Sequence, residues 1–144
     1  GPVVGAALVQ DGSWSAAAAW VAVPAFFMTF NLLLLNEFPD EEADREGGRR
    51  NLVLILGRKP AARVYAAAAL ATPATIITGV VLGALPMWVL LGVLPSLLLA
   101  KPLAWCFGDT SHNPPIPAMG ANVIWNLATN SLLAVGFVVA MLLR

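Results

Sequence analysis

The sequence predicts an all-α transmembrane helix bundle, and three observations carry that prediction. Hydrophobic residues make up 59% of the 144 residues and charged residues 11%, with a mean hydropathy of +0.79; an ordinary soluble domain is about one quarter charged. The apolar residues fall into runs of roughly 20, the length that crosses a bilayer core. The charges are gathered as well, with six acids and three arginines between Asn36 and Gly57. A chain of this length reads as one membrane domain, residues 1–144, and its zero net charge gives no reason to expect a nucleic-acid partner. The single Cys106 excludes an intrachain disulfide and any paired-cysteine metal site.

Four complete spans follow from the pattern, preceded by the end of a fifth. Residues 1–9 look like the tail of a span whose start is missing, so the chain is expected to be a segment of a longer protein. The first complete span covers 15–36 and stops at Asn36 and Glu37. An acidic loop, 37–60, leads to an alanine-rich second span at 61–84. The third span, 86–106, follows after at most a two-residue turn at Leu85 and Pro86, which makes these two an antiparallel hairpin. The fourth covers 120–143.

Orientation follows from the cations. Arg45, Arg49, Arg50, Arg58, Lys59 and Arg63 lie in or beside the acidic loop, and Lys101 lies near the end of the third span, which returns to the same side. The excess of lysine and arginine marks that side as cytoplasmic, placing the acidic loop on the inner face of the cell membrane. Trp14 and Trp88 at one boundary, and Trp105 and Tyr65 at the other, read as an interfacial aromatic belt. Trp20 and Trp125 sit deeper, as packing residues.

Inside the spans, Gly79 and Gly83 form a small-xxx-small pair, and Ala62, Ala66 and Ala69 line one side of the second span, both suited to close helix packing. Asn122, Asn126 and Asn130 recur every fourth residue and share a face. They serve either to hydrogen-bond between helices or to line a polar cavity.

The acidic loop carries the chemistry. Pro39 suits the first turn of a short helix whose positive end favours Asp40, Glu41 and Glu42, and Gly47 and Gly48 suit its termination. Asn36, Asp40 and Asp44 have metal-site spacing, and Asp40 and Asp44 stand one turn apart, so two hard oxygen donors project together. Magnesium takes such a partial carboxylate shell, completing it with water and phosphate oxygens. Arg45, Arg49 and Arg50 would supply charge-assisted bonds to the same phosphates. A solvated, self-neutralising loop of ion pairs fits the same composition. The loop at 108–118, with Asp109 and His112 before Asn113-Pro114-Pro115, faces the same side as either a cap or a rigid connector.

The pattern Asn36-Glu37-x-x-Asp40-x-x-x-Asp44-x-x-x-Gly48-x-x-Asn51-Leu52, followed by Leu56-Gly57-Arg58, resembles the second aspartate-rich motif of the UbiA-type intramembrane prenyltransferases. Gly1-Pro2 and Val9-Gln10-Asp11-Gly12 resemble the span before this motif in the dihydroxynaphthoate branch of the menaquinone pathway. Two departures stand out. Asn51 replaces the usual Thr, and Glu37-Phe38-Pro39 replaces the common Asn-x-Arg. The resemblance implies the C-terminal part of a nine-helix bundle. It also implies a first aspartate-rich motif in the missing N-terminal half, since these 144 residues hold only one D-x-x-x-D pair.

The activity implied is magnesium-assisted transfer of a polyprenyl group from its allylic diphosphate to an aromatic quinone precursor in the bilayer. On that resemblance Asp40 and Asp44 are catalytic metal ligands, joined by Asn36, and Arg45, Arg49 and Arg50 bind the diphosphate. Asn122 and Asn126 are candidates for the acceptor pocket. Two other classes remain open, a non-catalytic structural half-bundle and a segment of a cation or proton transporter. The second sits poorly with spans that lack ionisable residues at mid-depth.

Overall fold

The computed structural model describes residues 12–143, with side chains from Ala16 onward. The expected span tail at 1–9, the Gly1-Pro2 and Val9-Gln10-Asp11 part of the resemblance, the Trp14 side chain and Arg144 lie outside these residues. The chain runs α1 (Gly12–Glu46), α2 (Leu52–Leu56), α3 (Arg58–Val81), a 3₁₀ helix (Met87–Leu99), α4 (Ala100–Cys106) and α5 (Ile116–Leu142), with no strand among the described residues. Four stretches are long and apolar enough to cross a membrane: Ala16–Glu46, Arg58–Val81, Met87–Cys106 and Ile116–Leu142. The fold is an all-α transmembrane bundle. In it α5 packs chiefly on the 3₁₀ helix, and α1 packs chiefly on α3.

The largest difference from the sequence-based expectation lies at the end of the first span. The segment expected to open a loop at residue 37 continues α1 for ten residues, through Pro39, to Glu46. Proline inside a helix forfeits one backbone bond and crowds the preceding turn. Here the turn is held by what surrounds it, because Leu34, Leu35 and Phe38 are all fully buried against the rest of the bundle. The glycine stop falls where expected. Gly48 adopts φ 72°, the Arg49 N–H donates to the Asp44 carbonyl (2.8 Å), and the Gly48 N–H donates to that of Arg45 (3.3 Å), which together form a Schellman termination.

The hairpin between the second and third spans closes in the same way, over five residues, 82–86, and not the two expected, because the second span ends at Val81 and the third begins at Met87. Gly83 has φ 78°, the Ala84 N–H donates to the Gly79 carbonyl (2.9 Å) and the Gly83 N–H to that of Val80 (3.1 Å). Gly83 is therefore a turn residue and not half of a helix-packing pair. Gly79 does mark a close approach, since a Cβ there would stand 2.6 Å from a Leu85 methyl and 3.2 Å from the Trp20 ring.

The third span begins as 13 residues of 3₁₀ helix with Pro95 inside it. At roughly 2.0 Å per residue this stretch covers about 26 Å, some 6 Å more than the same residues in an α-helix. Its buried residues keep the matching period, with Val89, Gly92 and Pro95 spaced by three and then Leu99.

Trp105 and Tyr65 are core residues and not part of an interfacial belt. Trp105 packs edge-on against Phe38, with ring centroids 4.7 Å apart. Tyr65 is fully buried and donates its hydroxyl to Asn122 Oδ1. Both rings carry one polar atom, and burial requires that atom to find a partner inside the protein. Trp125 is fully buried and Trp20 partly buried, both packed against other helices as expected, and the Trp125 Nε1–H has no partner among the described residues.

Candidate functional site

The acidic segment is the end of a long apolar helix, which reverses one electrostatic expectation. Asp40, Glu41 and Glu42 do not lie at a positive helix N-terminus; with Asp44 and Glu46 they occupy the last turns of α1. The helix dipole presents partial negative charge there. Carboxylates and dipole thus reinforce one another, and the end of α1 is a place where a cation is strongly favoured.

At about 100° per residue, Asp44 falls within about 20° of Glu37 around the helix, Asp40 about 60° to one side and Glu41 about 40° to the other. Asn36 lies further out beyond Asp40, and Phe38 beyond Glu41. The burial pattern follows this wheel: Asn36 and Asp40 are exposed, Glu37, Glu41 and Asp44 are half-buried, and Phe38 is buried. The charges of Asp44 and Asp40 both act on Glu37.

Two fastenings hold this end. On the central face, Asn51 donates its Nδ2–H to Asp44 Oδ2 (2.9 Å), and the Leu52 N–H donates to Glu37 Oε2 (3.0 Å). Asn51 also caps α2, its Oδ1 accepting from the Leu54 N–H at 2.8 Å. The departure of Asn51 from the usual Thr therefore has a use, because an amide can cap a helix and donate to a carboxylate at once. On the other face, Glu41 accepts from Arg58 through Oε2 and from Arg45 through Oε1 (3.1 Å). Each carboxylate of the central face keeps one oxygen free of these bonds, and the Asp40 side chain has no hydrogen bond among the described residues.

The remaining candidates divide by use. Arg45 is committed to Glu41, while the side chains of Arg49 and Arg50 are exposed without partners among the described residues. Asn122 is bonded to Tyr65, and Asn126 donates to the Met28 carbonyl at 3.0 Å, so both amides tie the bundle together. Asn130 donates to Asn126 Oδ1 (3.0 Å). Asp109 serves its own turn: the Ser111 hydroxyl (2.6 Å) and backbone N–H (2.9 Å) both donate to it, which holds its carboxyl below the usual range. His112 lies 3.9 Å from Asp109, both exposed, a weak pairing.

Sequence reasoning missed Glu37 as part of the central face, although its position seven residues before Asp44 was a usable signal. It missed Asn31 as well. Asn31 is fully buried on α1, and neither its Nδ2 nor its Oδ1 meets a partner among the described residues. A buried unpaired amide costs about 1–3 kcal/mol. Asn31→Val, apolar and nearer to asparagine in size, is expected to raise stability by up to about that amount in detergent unfolding, and a clear loss of stability would count against an unpaired amide.

Among the described residues no three His, Cys, Asp or Glu side chains converge into a closed metal site. The donor chemistry nevertheless fits magnesium, which takes one or two protein carboxylates and completes its octahedron with water and phosphate oxygens. Asp40 and Asp44 offer such oxygens on the more open side of α1.

Four helices long and apolar enough to cross a membrane, with carboxylates gathered at one helix end, mark an integral membrane protein. Residues 1–128 match the UbiA prenyltransferase family, and the chain belongs to that family. No curated protein and no solved structure matches it.

Proposed function

We propose that this chain supplies the second aspartate-rich face of an enzyme that transfers a polyprenyl group from an allylic diphosphate to an aromatic quinone precursor, with dihydroxynaphthoate as the first acceptor to test. The observation that carries this reading is the gathering of Asp40, Asp44 and Glu37 on one face at the negative end of a 35-residue apolar helix. Asp40 and Asp44 would hold magnesium, with Asn36 beside them. An ion held there would supply positive charge to neutralise the diphosphate and assist its departure. Arg49 and Arg50, unpaired after the glycine turn, bind the outer phosphate oxygens, and Arg45 joins them by giving up Glu41.

The prenyl chain finds its wall lower on the same helix. An apolar groove between α1 and α3 is lined by Phe26, Phe27, Phe30, Val64, Ala67 and Ala71, together with Ala68. Phe26 and Phe30 fall on the helical face of Glu37 and Asp44, with Phe30 about 10 Å below Glu37. A diphosphate at the carboxylates would lay its tail along these rings, and the apolar surroundings would shield the allylic cation from water.

We place the acidic end on the cytoplasmic side, following the cations. The 144 residues contain one D-x-x-x-D pair, so we propose that the opposing aspartates come from polypeptide outside them. Co-expression with a segment carrying that motif would complete the site. The transporter alternative lacks a charge carrier among the described residues, because the buried polar groups within the spans, Asn31, Thr72, Asn122 and Thr129, are amides and hydroxyls. The test is transfer of a radiolabelled prenyl group to dihydroxynaphthoate in membranes, with and without magnesium and with and without the co-expressed segment. Magnesium-dependent product is expected only when the segment is present. Absence of product in every arm would favour a non-catalytic bundle, and turnover by the 144 residues alone would refute the divided site.

A further inference from the structure

We propose that Arg58 is a positioning residue: its guanidinium latches the connector at 107–115 onto the acidic end of α1 as a cap. Arg58 opens α3 directly after Gly57, whose φ of 90° turns the chain. From there the side chain reaches two separate parts of the molecule. Nη1 donates to Glu41 on α1, Nε donates to the Thr110 carbonyl (2.8 Å), and Nη2 donates to Asn113 Oδ1 (2.7 Å). The guanidinium also lies 5.4 Å from the centre of the Phe38 ring. All three nitrogens are used, and the side chain is only 21% exposed.

A second tie runs through the other edge of Phe38. Trp105 packs against that ring and donates its Nε1–H to the His112 carbonyl at 3.1 Å. Thr110 and Pro114 are buried in consequence. The connector is therefore docked by backbone carbonyls at Thr110 and His112, and its own polar side chains, Asp109 and His112, are left outside.

The latch also sets the electrostatics beside Asp44. By engaging Glu41, which Arg45 also holds, Arg58 places its positive charge on the side of the wheel away from Asp40 and leaves the Asp40 side open. A lysine cannot replace it, since a single ammonium lacks the planar fork that serves three acceptors in different directions. That separates a positioning role from phosphate binding, where lysine's point charge would retain much of the function.

The experiment uses Thr110→Cys in a Cys106→Ala background of the full chain in membranes. Because position 110 is buried under the latch, N-ethylmaleimide should react with it slowly. Arg58→Gln, Arg58→Lys and the milder Asn113→Ala should each speed labelling, by about tenfold for the two arginine variants, which lose charge-assisted bonds. Unchanged labelling in Arg58→Gln and Asn113→Ala would overturn the cap whatever the activity.

The effect on turnover rests on the prenyl-transfer reading. There Arg58→Lys should fail to rescue kcat, KM for the prenyl diphosphate should change little, and Glu41→Gln should reproduce the defect without adding to that of Arg58→Gln. A raised KM that Arg58→Lys restores would make Arg58 a diphosphate ligand and overturn the positioning role. Faster labelling in a protein with no transfer activity would sustain the latch and remove only the catalytic reading.

Discussion

In the enzyme completed by the co-expressed segment, Asp40→Asn is expected to lower prenyl transfer by about two orders of magnitude or more, because on the proposed reading it loses a metal contact to the departing diphosphate, worth several kcal/mol, and each ~1.4 kcal/mol is about tenfold in rate. The amount of folded protein should not change. Asp40 is exposed and its carboxylate makes no hydrogen bond among the described residues, so no bond described in the fold depends on its charge. Asp44→Asn should lose as much activity but is the less clean variant, since Asp44 accepts from Asn51. An asparagine can keep that bond through its own carbonyl oxygen, in the weaker neutral form. Glu42→Gln, exposed and outside the central face, should be nearly silent. Equal losses from all three would mean that the end of α1 is a solvated charge cluster and not a site.

Gly136→Ala should cause the largest stability loss among single-methyl substitutions in the bundle. A Cβ there would lie 2.5 Å from the Trp88 carbonyl oxygen and 2.8 Å from the Val89 Cα. These are backbone atoms, which cannot swing aside as a side chain can, so α5 and the 3₁₀ helix must separate along their contact. Overpacking of this kind costs about 1–3 kcal/mol, and in a membrane the loss of close packing is not offset by hydrophobic attraction between helices. Gly92→Ala meets the Leu133 side chain at 2.9 Å and backbone, the Thr129 carbonyl oxygen, only at 3.5 Å, and should cost less. At Gly120 nothing lies within 4 Å, and alanine there should be neutral or stabilising by up to about 1 kcal/mol through helix propensity. The comparison is made by detergent unfolding of the three variants, and a Gly136→Ala protein as stable as the parent would refute the close backbone contact.

The spans were legible because crossing a bilayer imposes length and hydropathy on a contiguous stretch, which a single sequence displays. The glycine stop after Glu46 was legible for a similar reason, since a positive φ at Gly48 is a local demand. Pro39 misled because its local meaning, a helix start, was outweighed by the burial of Leu35 and Phe38 against α3 and α4. The Arg58 latch could not be read at all, because Arg58 meets Thr110 and Asn113 across more than 50 residues of chain. Tyr65 and Asn122 are likewise joined across 57. The candidate site was visible as a motif, but Glu37 entered it only when the whole segment proved to be one continuous helix.

The 3₁₀ helix sets a rule for how this protein can change length. With three residues per turn, every third side chain lies directly above the last, so Val89, Gly92 and Pro95 form a straight row. In an α-helix the same spacing would drift by about 60° at each step. One residue inserted into Met87–Leu99 would swing everything beyond it by about a third of a turn and replace the glycine facing Leu133 with a bulky neighbour. Three inserted residues would restore the row and lengthen the span by about 6 Å. Insertions and deletions in this stretch should therefore be tolerated in multiples of three, whereas α1 and α5 keep their faces only over steps near seven.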